Sequence, residues 1–430
     1  MRGKVIDIHL TGIYSRVMMY RNQKTLFLTT IAALAFACPG AGAQEQAGWS
    51  VSGFGTLGAV HSSKRDADFT STVMRASGAG VSRPWSTDVD STLGMQLDLR
   101  LDRRWSAVVQ VVGEQRLDNS WRPRVEWANV KFQATPDLAL RAGRIALPMF
   151  LTAEYRKVGY VYPWVRPPVE TYGALPFTSS TGVDATLRWT AGSVRNASQV
   201  FYGRDDIRLA SPYHAHTRRI LGLSNNSDWG ALNVHLNLMR SEVTLDIGDA
   251  LFDAYKQFGP AGAAIAARYQ IDHKVMNLAN IGASYDPGAW FVMAEASRSR
   301  SETFVSSTNS AYVSAGWRWN AFTPYATLAT VRAAGATTDP GLPLAGLPPA
   351  YAGQAVMLNA GLAQLLSTIA QQRTASVGLR WDCATNVALK VQYDRVTPHD
   401  GSRGTFINQT PSFRSDETAH VASVAVSFVY

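Results

Sequence analysis

Cysteine is nearly absent from this 430-residue chain: only Cys38 and Cys383 occur. Two thiols exclude a disulfide framework and a cysteine-based metal centre. Charge is scarce as well. Asp, Glu, Lys and Arg make up 17% of residues, against roughly 25% in soluble domains. The mild basic excess contains no Lys/Arg block beyond residue 45, so it carries no nucleic-acid footprint. Also missing beyond residue 45 is any apolar run of the ~20 residues that a transmembrane helix needs. A nucleophile elbow, a phosphate-cradling loop and a His-Glu metal helix are lacking too. His214-x-His216 has no acidic or Cys partner at useful spacing, and Asp205-Asp206 between Arg204 and Arg208 reads as a solvated turn.

The one long apolar run lies near the start. Arg21 and Lys24 precede Leu26 to Ala37, and Ala41-Gly42-Ala43 follows. A charged region, an apolar region and a small-residue cleavage site read as a secretory signal peptide. Residues 1–43 are therefore expected to be an N-terminal extension plus leader, with the natural start at Met18 or Met19, and 44–430 a single mature domain. Cys38 fits a lipoprotein signal poorly, because Phe36 stands where a small residue is expected. Removing 1–43 takes away five bases and one acid, lowering the formal charge from +9 to +5, and leaves Cys383 as a lone thiol.

What the mature chain has in abundance is alternation. In Ser91 to Leu101, Leu93, Met95, Leu97, Leu99 and Leu101 share one parity; Gly94, Gln96, Asp98 and Arg100 share the other. A strand sends alternate side chains to opposite faces, so each such segment has an apolar and a polar face. Val424, Val426, Phe428 and Tyr430 repeat the pattern at the end of the chain. About sixteen segments alternate in this way from Trp49 onward. The links between them alternate as well: tight turns at 102–104, 134–137, 190–194, 225–228, 286–289, 320–321 and 382–386, and longer links, mostly, between those. Mean hydropathy is −0.08, because the two faces cancel in any window. An antiparallel transmembrane β-barrel of about 16 strands, with short turns on one side and long loops on the other, has this signature. Trp49, Trp105, Trp189, Trp229, Trp290, Trp319, Trp381 and Tyr430 fall at strand ends, where amphipathic rings collect at a membrane interface. Two of the long loops carry helix-like spacing, Ala250 to Tyr269 and Tyr351 to Gln372.

The link after the fifth strand, from Pro148 to Ser180, is rich in aromatics and prolines. It holds Glu154, Arg156, Lys157, Arg166 and Glu170. A barrel of sixteen strands is wide enough to leave an aqueous channel, and a long stiff loop folded into it would narrow it and set which solutes pass. Parity also proposes charges on the inner wall: Asp98, Arg100, Glu114, Lys131, Arg141, Asp184, Arg188, Arg218, Arg380 and Lys390, with Gln110 and Asp394 beside them. Charge near the midplane of the lipid face costs ~2–4 kcal/mol for Arg or Lys, which favours the inward orientation. Bases outnumber acids in this set, an arrangement expected to give a weak preference for anions.

Architecture and motif together make the chain resemble the Gram-negative porins. The resemblance covers the whole mature chain: leader, sixteen alternating strands, long third loop and terminal aromatic residue. Arg141-Ala142-Gly143-Arg144, Leu147-Pro148 and Tyr162-Pro163-Trp164-Val165-Arg166-Pro167-Pro168 look like a group of proteobacterial porin-like proteins. The resemblance implies a third loop folded inward, facing a basic wall. It also implies an assembly role for the C-terminal aromatic, a homotrimer, and contact with outer-membrane lipid and lipopolysaccharide. The family's third loop is acidic, whereas this one carries three bases against two acids. The function expected is passive diffusion of small hydrophilic solutes and ions, with no covalent chemistry, no metal and no cofactor. A substrate-specific channel with saturable sites is the alternative. A barrel enzyme would need a catalytic cluster, for which His420 and Ser423 are the nearest residues, and a secreted soluble β protein leaves the sorted loop lengths unexplained.

Overall fold

The computed structural model describes residues 48–173, 177–209, 213–301, 303–305 and 307–430. The leader expected at 1–43, with Cys38 and the alternative starts, lies outside the described residues.

Sixteen antiparallel strands close into one barrel. They are β1 (Gly48–Ser62), β2 (Thr92–Arg100), β3 (Trp105–Glu114), β4 (Arg124–Gln133), β5 (Leu138–Ala146), β6 (Ser179–Ala191), β7 (Val194–Arg208) and β8 (His214–Trp229). The second half comprises β9 (Leu232–Leu245), β10 (Lys274–Tyr285), β11 (Trp290–Arg300), β12 (Thr308–Trp317), β13 (Phe322–Ala333), β14 (Gln372–Ala384), β15 (Val387–Pro398) and β16 (Ala419–Val429). A two-residue strand, Trp85–Ser86, adds to the edge of β1. Each strand pairs with its sequence neighbours. β1 then closes the ring: Gly48 to Thr56 pair with β2, and Phe54 to Ser62 pair with β16.

The two faces differ as the alternation demands. Leu57, Leu93, Met95, Leu238, Ile281, Leu328 and Val377 are exposed on the outside, where lipid would cover them. Gln96, Asn237, Ser314, Lys390, Gln392 and Ser427 are buried on the inside. The exposed rings of Trp49, Trp105, Trp189, Trp229, Trp319, Trp381 and Tyr430 gather at the short-turn end. Glycines on β1 make room for the last aromatic rings. The Tyr430 ring lies over Gly53 and that of Phe428 over Gly55, so a Cβ at either glycine would collide with a ring.

One turn falls elsewhere than the sequence pattern places it. The segment 225–228 is not a turn but continuous strand, and the chain reverses at Gly230-Ala231. Gly230 adopts a left-handed φ of +61° that suits glycine; the polar Ser-Asn-Asn-Ser-Asp run simply lies in the ladder. Asp205 and Asp206 are likewise in strand, not in a solvated turn. Asp205 is buried against Arg144 at 2.8 Å, and Asp206 is exposed beside His216.

Among the described residues the long loops carry four α-helices: α1 (Val169–Tyr172), α2 (Asp249–Lys256), α3 (Gly259–Tyr269) and α4 (Pro349–Leu366). The helix-like spacing of 250–269 is thus divided at Gly259, whose φ is +66°. Phe252, Tyr255, Ile265, Leu362 and Leu366 form a common apolar core between α2, α3 and α4.

Candidate constriction and its basic wall

The third long loop, between β5 and β6, is stitched to side chains that share the buried, polar parity of the strands. At its base Glu295 of β11 accepts from the Leu151 amide at 3.0 Å, the Tyr172 hydroxyl at 2.6 Å and the Asn280 amide at 2.9 Å. Further along, the loop meets β1 and β16. Gly159 lies so near that a Cβ there would stand 3.0 Å from Ser427 Oγ and closer still to Thr56 Oγ1. Trp164 Nε1 donates to Ser314 of β12 at 2.8 Å, and the Val165 amide donates to Gln392 of β15 at 3.0 Å.

Two bases on the wall hold the loop's backbone. Lys390 is buried and donates to the carbonyls of Gly159, Tyr162 and Trp164, the latter two at 2.6 and 2.8 Å. Arg380 donates to the carbonyls of Tyr160 and Tyr162 and pairs with Asp382 at 2.7 Å. Arg166 performs the reverse, reaching from loop to wall. Its guanidinium grips Asp90 of the first loop with two bonds of 2.8 and 2.6 Å, and Asp394 of β15 with one of 2.9 Å. Ser423 and the face of Phe69 complete its surroundings. Such fork geometry is what guanidinium offers and an ammonium does not. Glu170, in α1, accepts from Gln372 at 2.6 Å and from Thr374. Burial pushes its carboxyl above the usual carboxylate range, against the pull of those two hydrogen bonds. Lys157 pairs with Glu114, whose other oxygen meets Arg75 at 3.3 Å.

A second group of charges stands apart from these tethers. Arg100, Ser106, Lys131, Arg141 and Asp184 are consecutive cross-strand partners from β2 to β6. Directly opposed residues point to the same face, so they form one rung on the inner wall. Arg141 forks onto Asp184 at 3.1 and 2.9 Å. Lys131 feels the positive charges of Arg188, Arg141 and Arg100. Among the described residues Arg100, Lys131 and Arg188 have no ion-pair partner within 4 Å. Asp98 is held by Gln96 at 2.9 Å, which in turn accepts from Gln110 at 2.8 Å. A cavity of about 600 Å³ opens beside the rung, lined by Arg100, Arg103, Arg104 and Lys131 among others. On the loop side, the negative charge of Glu154 is felt by Arg141. Arg156 sits in the field of Glu114 and Glu126.

Arg218 is a correction: it does not face the lumen. β8 gains an extra residue at Arg219, whose φ is +49°, and the register with β9 shifts between Arg240 and Glu242. Arg218 therefore pairs with Glu242, on the parity of exposed Leu236 and Leu238. His420 and Ser423 cannot act together either. Three residues apart on β16, they point to opposite faces: His420 bonds the Tyr393 hydroxyl at 2.7 Å outside, and Ser423 meets Arg166 inside. His214 and His216 stack at 6.2 Å, each beside its own carboxylate, Asp246 and Asp206. Among the described residues no three His, Cys, Asp or Glu converge as metal ligands.

Asp90 and Glu295, the partners that fix the loop, are missing from the set drawn by parity. Glu295 has a signal, an acid between Ala294 and Ala296 in the apolar first half of its strand. Asp90 had none, since it lies in a loop.

A sequence model described as Gram-negative porin matches residues 29–401. The chain belongs to the Gram-negative porin family. This porin is an outer-membrane protein whose barrel serves passive solute diffusion. Comparison with curated protein sequences returns no match. Among solved structures it is similar to an anion-selective porin from Comamonas acidovorans, with 12% identity, a TM-score of 0.52, and coverage of 90% of this chain and 100% of that one. It is also similar to the outer membrane channel DcaP of Acinetobacter baumannii, with 8% identity, a TM-score of 0.53, and coverage of 91% and 99%. For Salmonella typhi OmpF, in complex with daunomycin, the values are 11%, 0.50, 89% and 97%. At such identities the likeness concerns the fold.

Proposed function

We propose that this porin passes small hydrophilic solutes and ions through a lumen narrowed by the third loop, with a preference for anions and without catalysis. The observation that carries the preference is the rung Arg100–Lys131–Arg141, with Arg188 nearby on the same wall. Its one acidic member, Asp184, is fully occupied by Arg141. The loop charges Arg166, Glu170 and Lys157 are matched by partners and hold the constriction in place. Fixed charges of one sign in a narrow aqueous path attract the counter-ion and raise its local concentration. The family's homotrimer is the assembly that goes with this reading.

Planar-bilayer recording of the mature chain under a potassium chloride gradient tests it. Steady unitary steps with a reversal potential of anionic sign are expected. A potential of cationic sign overturns the role given to the rung, and folded, inserted protein that gives no steps overturns the open pore. Current block that saturates with one solute would transfer the reading to a substrate-specific channel.

A further inference from the structure

The wall behind the third loop has an unbalanced charge of its own, separate from the basic rung. Where residues 164–170 of the loop meet β13, β14 and β15, they enclose a cavity of about 20 Å³. That volume holds a guest the size of a water molecule. Arg166 and Glu170 border it from the loop; Thr327, Thr374, Ser376 and Asp394 border it from the strands.

Glu170 is 3% exposed. Its Oε1 accepts from the Gln372 amide and the Thr374 hydroxyl, both neutral. Its Oε2 is buried and has no hydrogen-bond partner among the described residues. Donors aimed at a carboxylate favour its ionised form, and a buried charge needs an opposite one. No base supplies it. Arg166 spends its guanidinium on Asp90, Asp394 and Ser423. Lys390 spends its ammonium on three loop carbonyls, and within this group the acid it feels is Asp90. The charge that Glu170 feels is that of Asp394, of its own sign. Two bases thus stand among three carboxylates, one positive charge short.

We propose that the cavity between Glu170 and Asp394 binds one monovalent cation of the size of potassium, which locks the third loop to the wall. The local excess is a single negative charge, which one monovalent ion cancels and a divalent ion reverses. The lining offers carboxylate oxygens from Glu170 and Asp394 and hydroxyl oxygens from Thr327 and Ser376, and oxygen is the donor that hard cations take. Two carboxylates with neutral oxygens differ from a cluster of three His, Cys, Asp or Glu, which the described residues lack. The ion adds a second tie beside the Arg166 fork, between α1 and the strands it covers.

The test is thermal unfolding of the refolded full mature barrel in detergent at pH 8, in potassium chloride against choline chloride at equal chloride. Choline is too large for the cavity. The midpoint should rise with potassium and saturate, by about 2 °C at ten times the half-saturating concentration. Glu170→Gln keeps the shape and removes the charge. Its midpoint should be equal in the two salts and match that of the unaltered barrel in potassium. Equal midpoints for the unaltered barrel in both salts overturn the proposal and leave a bound proton as the compensation. A potassium response that persists in the variant overturns it as well, and a larger response to calcium at matched ionic strength overturns the single charge. Crystals of the unaltered protein grown in rubidium chloride should show an anomalous-scattering peak between Glu170 and Asp394; no peak there overturns the site. None of these readings depends on current, so they stand apart from the ion preference assigned to the rung.

Discussion

Arg166 and Arg100 carry the same guanidinium and face the same lumen, but their surroundings differ. Arg166 is enclosed by Asp90, Asp394 and Ser423. Arg100 stands exposed on β2 at the end of a rung of like charges. The β14–β16 side of the barrel, with Lys390 and Arg380 holding carbonyls, has its charges consumed in construction. The β2–β6 side leaves three of its bases to solvent. Position on the inner wall is thus insufficient to make a charge a selectivity element; what decides is whether a partner already neutralises it.

The largest effect should follow from breaking the enclosed side. Arg166→Met leaves Asp90 and Asp394 buried without a counter-charge, a loss of about 3–5 kcal/mol for breaking a buried pair from one side. The loop should come loose from β15, seen as noisy, enlarged unitary conductance and as new protease cleavage between 148 and 173. A quiet, unchanged channel would remove the tether role. The open side should respond in the opposite manner. Lys131→Glu with Arg188→Glu should move the reversal potential toward cations while unfolding stability stays within about 0.5 kcal/mol, as for surface substitutions free of special contacts. An unmoved potential would place selectivity elsewhere.

The smallest effect concerns Glu170. Its folded-state carboxyl is raised by burial, so the folded barrel holds that proton more tightly than the unfolded chain does. The associated stability is present below the unfolded value of about 4.5 and is lost as pH rises through the raised folded value. Glu170→Gln should flatten this part of the pH profile of thermal unfolding and lose none of the stability at pH 7. A steeper fall in the variant would contradict the sign.

The strands were legible because alternation is a local property: each of the sixteen segments reads from its own residues. Loop sorting was legible for the same reason. The parity reading failed at Arg218, where the extra residue at Arg219 reverses the faces; nothing in Arg218-Arg219-Ile220 announces it. The tethers were hidden for a different reason. Arg166, Asp90 and Asp394 are a contact among two loops and a strand far apart in the chain, and periodicity carries no information about such meetings. Arg166 has the chemistry of a pore charge, and only its bonds to Asp90 and Asp394 make it a tether.

The seam at β1 has a consequence for how the barrel forms. Thr56 and Ser427, bonded at 3.0 Å, are separated by 371 positions. Loop-closure entropy grows as (3/2)RT ln n, so joining them directly costs ~3 kcal/mol more than closing a ten-residue hairpin. Hairpins between neighbours can form first, and the two ends meet once the intervening strands have brought them together. The meeting is then checked by shape: Tyr430 and Phe428 need the bare backbone of Gly53 and Gly55 to lie flat, and the Gly53 and Tyr430 backbones exchange hydrogen bonds at 3.0 and 2.9 Å. A one-residue slip would swing both rings to the wrong face of the sheet. The last two aromatics therefore serve as a proofreading step that admits one register and rejects its neighbours.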